Sequence, residues 1–213
     1  MNRPIVPTEI RKVFDGRVFS VTVESITLPR GDSLDAEIVR HPGSVVLIPV
    51  TDRGEIVLVR QYRPAIGRAA WEVPAGSLKR GEAPEAAAIR ECHEETGLIP
   101  GALTPLGGFF PTPGYCDEEM HFFQATRLRA PDAGDPAVQQ DADEDIEARP
   151  FSIDELRAMI ASREIIDLKT VAGLTLIALS DRGGPADPRC ASASSRAAAP
   201  AGAPRRRSAR SES

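Results

Sequence analysis

The sequence predicts a mixed α/β (α+β) protein in which a mixed β-sheet is clasped between helices, with an antiparallel hairpin ahead of it. Three observations lead there. Apolar runs of strand length recur along the chain, among them SVVLIPV (44–50) and EIVLVRQY (55–62). Helical signals are confined to a few segments, one inside 76–98 and two near the end at 152–162 and 167–180. Strands and helices do not alternate in the regular βαβ order that signals an all-parallel sheet.

Each element has its own warrant. Residues 17–29 and 34–40 alternate polar and apolar around Arg30-Gly31-Asp32, which predicts a hairpin over 17–40. The run at 44–50 is apolar without a break, as expected of a strand buried on both faces, and Asp52-Arg53-Gly54 marks a turn before the next strand. Residues 76–98, GSLKRGEAPEAAAIRECHEETGL, read as loop, helix, loop. Pro84 fits the first helical turn, where its missing N–H costs little. Ala88, Ile89 and Cys92 supply the apolar side; Gly76 suits a tight loop and Gly97 an αL stop. Two strands follow near 104–110 and 119–126, joined by PTPGYCDE. After an acidic loop from Ala130 to Asp145 comes a short strand at 146–151, then the two helices. The first of these opens on Ser152 with Glu155 three residues on, a capping-box pattern.

From Asp181 onward Ala, Ser, Pro, Gly and Arg dominate and aliphatics disappear, so 181–213 is expected to be a disordered, dispensable tail behind one domain over 1–180. The formal charge of -5 is uneven, since that tail holds seven arginines against Asp181, Asp187 and Glu212. The domain proper is therefore more acidic than the total, and an acidic body facing an anionic ligand needs a cation or local arginines. The basic tail has no aromatic residue to stack on bases, which argues against specific nucleic-acid binding. Cys92, Cys116 and Cys190 cannot all pair and lack metal-ligand spacing, so neither a disulfide framework nor a zinc site is supported and a reducing cytoplasm is the simplest home. His41, His93 and His121 are scattered. No segment has the length of a signal-peptide core or a membrane span.

The chemistry concentrates in the 76–98 helix. Arg90, Glu91, Glu94 and Glu95 lie within six residues, with Glu91 and Glu95 one turn apart and Glu94 beside them. Like-charge repulsion disfavours such crowding unless a cation neutralises it. A solvated acidic face with an Arg90–Glu94 pair is the alternative, but it leaves the flanking glycines unexplained. Carboxylates without imidazole or thiolate are hard oxygen ligands, which points to magnesium, with manganese possible. Divalent ions are what a pyrophosphate linkage needs: they neutralise its oxygens, acidify a bound water and hold the reacting atoms in line.

The same string resembles the Nudix box, G-x5-E-x7-R-E-U-x-E-E-x-G-U, at Gly76, Glu82, Arg90, Glu91, Cys92, Glu94, Glu95, Gly97 and Leu98. That resemblance to the Nudix hydrolases implies an α-β-α sandwich. It also implies metal ligation by Glu91, Glu94 and Glu95 with the carbonyl of Ala75, an orienting role for Arg90, a supporting one for Glu82, and a quiet, packed Cys92. The flanks RQYRPAIGRAAWEVPAG (60–76) and TPGYCDEEMHFFQA (112–125), with the segment DEDIEARPFSIDELRAMIASREIIDLKTVAGL, are similar to the ADP-ribose pyrophosphatase branch over about residues 15–180.

The branch resemblance implies hydrolysis of ADP-ribose or a related nucleoside diphosphate sugar to a nucleoside monophosphate and a sugar phosphate. GDP-mannose or a broad nucleotide-sugar range is the alternative, and a non-catalytic nucleotide-sugar sensor is the reading from another class. On the substrate side it implicates Arg60, Arg63, Glu72, Pro113 and Glu118. Arg60 is equally readable as a surface charge, and Trp71 and Tyr62 as either base-stacking or core residues. The catalytic set it implies is Glu144, Arg90 and Glu94, with Glu144 as the base from the acidic stretch 141–145. Some relatives carry a second loop glutamate two residues earlier, where this chain has Ala142, so Glu144 is readable as base or as metal ligand. The resemblance further implies a homodimer whose N-terminal strands cross to the partner.

Overall fold

The computed structural model describes residues 5–135 and 146–180, and within them ten strands, three α-helices and one short 3-10 helix (Pro64–Ile66). Glu144, the rest of the acidic stretch 141–145 and the tail from 181 lie outside the described residues. The predicted hairpin is present as β2 (Ser20–Thr27) and β3 (Ser33–Arg40), paired antiparallel across the Arg30-Gly31-Asp32 turn. A further strand, β1 (Glu9–Asp15), joins β2 and makes the unit a three-stranded sheet of order β1-β2-β3. The sequence did not announce β1, because EIRKVFD is exposed along its whole length and so carries no period-two burial pattern.

The uninterrupted run at 44–50 forms β4 (Ser44–Pro49), buried at every residue as expected. Its side chains alternate between two cores. Val45 and Leu47 pack with Ala87, Ala88, Cys92, Phe123 and Ala125. Val46 and Ile48 pack with Leu58, Trp71, Phe122, Phe151 and Leu156. A strand that feeds a core on each face has no polar side to show, which is why its sequence is apolar throughout.

The strand after it, β5 (Ile56–Arg63), does not pair along β4. The Asp52-Arg53-Gly54 turn instead passes the chain from one sheet to another, with Val50 and Ile56 as a lone bridge. β5 lies between β10 (Glu147–Phe151) and β6 (Arg68–Glu72), antiparallel to both. β4 belongs to a mixed sheet of order β7-β4-β9-β8, formed with β7 (Ala75–Ser77), β9 (Met120–Arg129) and β8 (Ile99–Phe109); it runs parallel to β9 and antiparallel to β7. β6 and β7 are too short, and too broken by Pro74 and Gly76, to have shown as strands in the sequence.

Three helices cover these sheets: α1 (Pro84–Thr96), α2 (Ile153–Ala161) and α3 (Leu168–Ser180). The capping box that opens α2 is complete, with Ser152 accepting from the Glu155 N–H and the Glu155 carboxylate accepting from the Ser152 N–H. No helix among the described residues is long and apolar enough to cross a membrane.

Candidate functional site

Helix α1 starts and stops where local signals place it, with Pro84 in its first turn and Gly97 at φ 70° in the αL conformation, its N–H donated to the His93 carbonyl. Ala87, Ala88 and Cys92 form the buried side, whereas Ile89, expected there, is exposed and Ala87 takes its place. Burial pushes the Cys92 thiol up to about 11, so it is unreactive at neutral pH.

On the opposite side Arg90 gathers three carboxylates. Its Nε and Nη2 donate to the two oxygens of Glu82 at 2.8 and 2.9 Å, and Nη1 donates to both Glu91 (2.5 Å) and Glu94 (2.7 Å). The crowding read from the sequence is therefore balanced within the protein: the cation that relieves Glu91 and Glu94 is the box arginine itself. Glu95, 4 % exposed, accepts from the Ala75 N–H at 3.1 Å.

Gly76 was expected in a tight loop, but it lies in β7 without a positive φ. Its missing side chain serves close approach instead, since a Cβ there would come within 2.0 Å of the Glu91 carboxylate. Leu47 N–H bonds the Pro74 carbonyl, so the antiparallel alternation turns both polar groups of Ala75, opposite Val46, away from β4. The N–H meets Glu95, and the carbonyl shares that side of the strand with α1.

Hydrogen bonding from Arg90, opposed by burial and aided by the Lys79 N–H, lowers the Glu82 carboxyl from its ordinary 4.5 to about 2. A lowered folded value means that Glu82 stabilises the fold above its unfolded pKa and that this contribution fades as pH falls toward about 2. Burial acts oppositely on Glu91, whose carboxyl is raised, so acid does not penalise it in the same way. The stability difference between the native protein and Glu82→Gln is therefore expected to shrink as pH is lowered from about 5 to about 2. Urea titrations across that window check it, and a constant difference would mean that Arg90 does not hold Glu82 ionised.

Among the described residues no three acidic, histidine or cysteine side chains stand together in a metal-ligating arrangement. The donor set nonetheless suits a hard divalent cation: Glu91, Glu94 and Glu95 offer only carboxylate oxygens, Glu91 is desolvated against Gly76, and the Ala75 carbonyl faces the same helix.

The strand Ala75–Ser77 also forms one wall of a cavity of about 930 Å3. Phe109, Phe110 and Phe122 are among its apolar lining residues; Arg63, Glu72, Glu118, Asp167 and Lys169 bring charge to it. Arg63 grips Glu72 as a fork, Nε to Oε1 at 2.7 Å and Nη2 to Oε2 at 2.8 Å. Burial works against the Arg63 charge, but the Glu72 bonds outweigh it and raise its pKa. Lys169 also donates to Glu72 Oε2 and lies 3.1 Å from Asp167. Glu118 accepts from the Ser44 hydroxyl at 2.8 Å. Its loop is held to the N-terminal sheet through Asp117, which accepts from Arg40 Nη1 (2.9 Å) and the His41 N–H (2.8 Å), while Arg40 also grips the buried Glu24.

The structure thus brings Arg63, Glu72, Ala75 and Glu118 to one cavity. Arg60 lies outside its lining, exposed, with its guanidinium 3.8 Å from Glu147. Pro113 is also outside, although its neighbours Pro111 and Thr112 line the cavity. Trp71 packs edge-on against Phe151 in the core, and Tyr62 is exposed. Sequence reasoning missed Asp167, Lys169 and Thr170. The readable signal was Asp167 three residues before Thr170 at a helix start, an N-cap spacing borne out by the Thr170 N–H donated to Asp167 at 2.9 Å.

The family model described as NUDIX domain matches residues 40–169. The chain is 36% identical over 170 residues to an ADP-ribose pyrophosphatase of Bacillus subtilis (strain 168), covering 80% of this chain and 90% of that protein. It is equally 36% identical over 170 residues, with the same coverage of each, to a methanol dehydrogenase activator of Bacillus methanolicus. A crystal structure of an ADP compounds hydrolase superimposes with a TM-score of 0.71 at 20% identity, over 85% of this chain and 97% of that one, a likeness of fold.

Proposed function

The chain belongs to the Nudix hydrolase family, and from that premise we propose that it hydrolyses the pyrophosphate bond of ADP-ribose or a related nucleoside diphosphate sugar, with magnesium as its metal. The observation that carries this reading is the shared wall. The strand Ala75–Ser77 faces the cavity that holds the Arg63 fork, and Gly76 in that strand abuts the Glu91 carboxylate. A phosphate gripped in the cavity would then lie beside the box carboxylates.

Glu91, Glu94, Glu95 and the Ala75 carbonyl would hold the metal, which when bound supplies charge neutralisation and an acidified water. The protein's own groups do the rest. Arg90 keeps Glu91 and Glu94 aligned. Arg63, held in its fork by Glu72, binds and orients the substrate, with Glu118 at the cavity wall; Arg60 and Pro113 would act from outside the lining. Water adds its oxygen to one phosphorus, the anhydride P–O bond breaks, and the water's proton passes to a base. Glu144 is the proposed base, and Glu144→Gln is expected to lower kcat far more than it weakens ADP-ribose binding. Equal kcat in the variant would move the role elsewhere.

We assign the N-terminal sheet to a homodimer contact and the protein to the cytoplasm. What supports the contact is β1, an edge strand exposed throughout, with Ile10, Val13 and Phe14 among its exposed apolar residues. The deciding experiment is hydrolysis of a panel containing ADP-ribose, ADP-glucose and GDP-mannose with magnesium, products read by phosphorus NMR. Release of a nucleoside monophosphate with ADP-ribose preferred is the expected result. Binding without product would turn the reading to a sensor, and preference for GDP-mannose would move the substrate.

A further inference from the structure

We propose that Lys169, anchored by Asp167, is a positioning residue that locks Glu72 and through it aims the Arg63 guanidinium into the cavity. Glu72 is 2 % exposed, and a buried carboxylate keeps a fixed orientation only if both oxygens are bonded. Arg63 supplies one bond to each oxygen, and Lys169 adds a further one to Oε2 from the first turn of α3. With Nε–H and one Nη2–H given to Glu72, the two hydrogens of Nη1, which has no hydrogen-bond partner among the described residues, are the main donors left to meet a ligand. The plane of Glu72 therefore sets the direction of that nitrogen.

Lys169 can act this way because it is itself immobilised. Its side chain is 10 % exposed and is also paired with Asp167 at 3.1 Å. Asp167 in turn accepts from the Thr170 N–H at 2.9 Å and the Thr170 hydroxyl at 2.6 Å. The Thr170 oxygen accepts from the N–H of Val73, the residue after Glu72, at 2.9 Å. The first turn of α3 is thus tied to the end of β6 twice, once through the backbone and once through the charges. Two cations and two carboxylates leave the cluster without net charge, so its value to an anionic ligand lies in geometry rather than in bulk field.

The kinetic part of the test rests on the proposed hydrolysis; a second part does not. On ADP-ribose with saturating magnesium, Lys169→Met is expected to raise KM about tenfold while kcat falls no more than about threefold, as for loss of uniform binding. The double variant with Arg63→Ala is expected to be no worse than Arg63→Ala alone, because both act through one contact. Losses that multiply in the double variant would overturn the proposal. Independently of any substrate, the Arg63 Nε–H resonance should be sharp and slow to exchange in the native protein, and should broaden in Lys169→Met; an unchanged resonance would also overturn it. Should Lys169→Met fail to fold, Lys169→Gln, polar but uncharged and one atom too short to hold Glu72, is read in the same two ways. Absence of hydrolysis by the native enzyme would count against the proposed function alone, since the resonance still decides the role of Lys169.

Discussion

Replacing Gly76 with alanine is expected to abolish most hydrolysis and to lower the melting temperature by about 5–10 °C, the shift that roughly 2–3 kcal/mol produces in a domain of this size. The reason is steric and local. A Cβ at this position would stand 2.0 Å from the Glu91 carboxyl carbon and one of its oxygens, and 2.4 Å from the other. Glu91 cannot simply swing away, because its side chain is largely buried and its carboxylate is bonded to Arg90. Either β7 moves off β4, which breaks the Val45–Gly76 pairing, or Glu91 leaves Arg90 and strands a charge. Both outcomes disturb the proposed metal ligands and the cavity wall together. A thermal melt alongside kcat checks it: a variant with native melting temperature and native turnover would show that the close approach of Gly76 to Glu91 is incidental.

Replacing Glu94 with glutamine should give a different pattern, a fall in kcat of about a hundredfold or more with little change in stability. Glu94 is more exposed than Glu91, and the amide oxygen of glutamine can still accept from Arg90 Nη1. Arg90 keeps Glu82 and Glu91 in either case. The repulsion that Glu94 exerts on Glu91 disappears, which offsets the weaker bond to Arg90. What is lost is one negative charge from the proposed ligand set. Near-native magnesium-dependent turnover by Glu94→Gln would remove this residue from the metal site, whereas loss of both turnover and melting temperature would make its role structural.

Helix α1 and the strand β4 were legible because their signals are short-range. Pro84 and Gly97 state backbone conformations that a few neighbouring residues decide, and the unbroken apolar run at 44–50 states burial on both faces whatever the partners are. The same holds for the Ser152–Glu155 capping box, which closes within one helical turn. The carboxylate cluster was legible for a related reason: helical spacing alone puts Glu94 beside both Arg90 and Glu91.

Other features were visible as residues but not in their roles. Gly76 stood out, yet whether it served a turn or a close contact depended on a carboxylate fifteen positions away in sequence. Arg60 and Arg63 looked alike in the sequence, and β5 separates them, leaving Arg60 exposed beside Glu147 and bringing Arg63 to Glu72 in the cavity. The turn at Asp52-Arg53-Gly54 was read correctly as a turn, but its strands went to different sheets because β4 already has β7 and β9 as neighbours.

The sequence by itself therefore determined the helix that carries Glu91, Glu94 and Glu95, the doubly buried strand β4 and the family to which the chain belongs. Only the tertiary structure decided that Gly76 makes room for Glu91, that Arg63 rather than Arg60 reaches the cavity, and that Lys169 meets Glu72 from 97 residues further along the chain. Backbone preferences and helical spacing are settled among neighbours along the chain. The pairing of buried charges is settled by which helix packs on which sheet, and that information is spread over the whole core rather than written beside the residues it brings together.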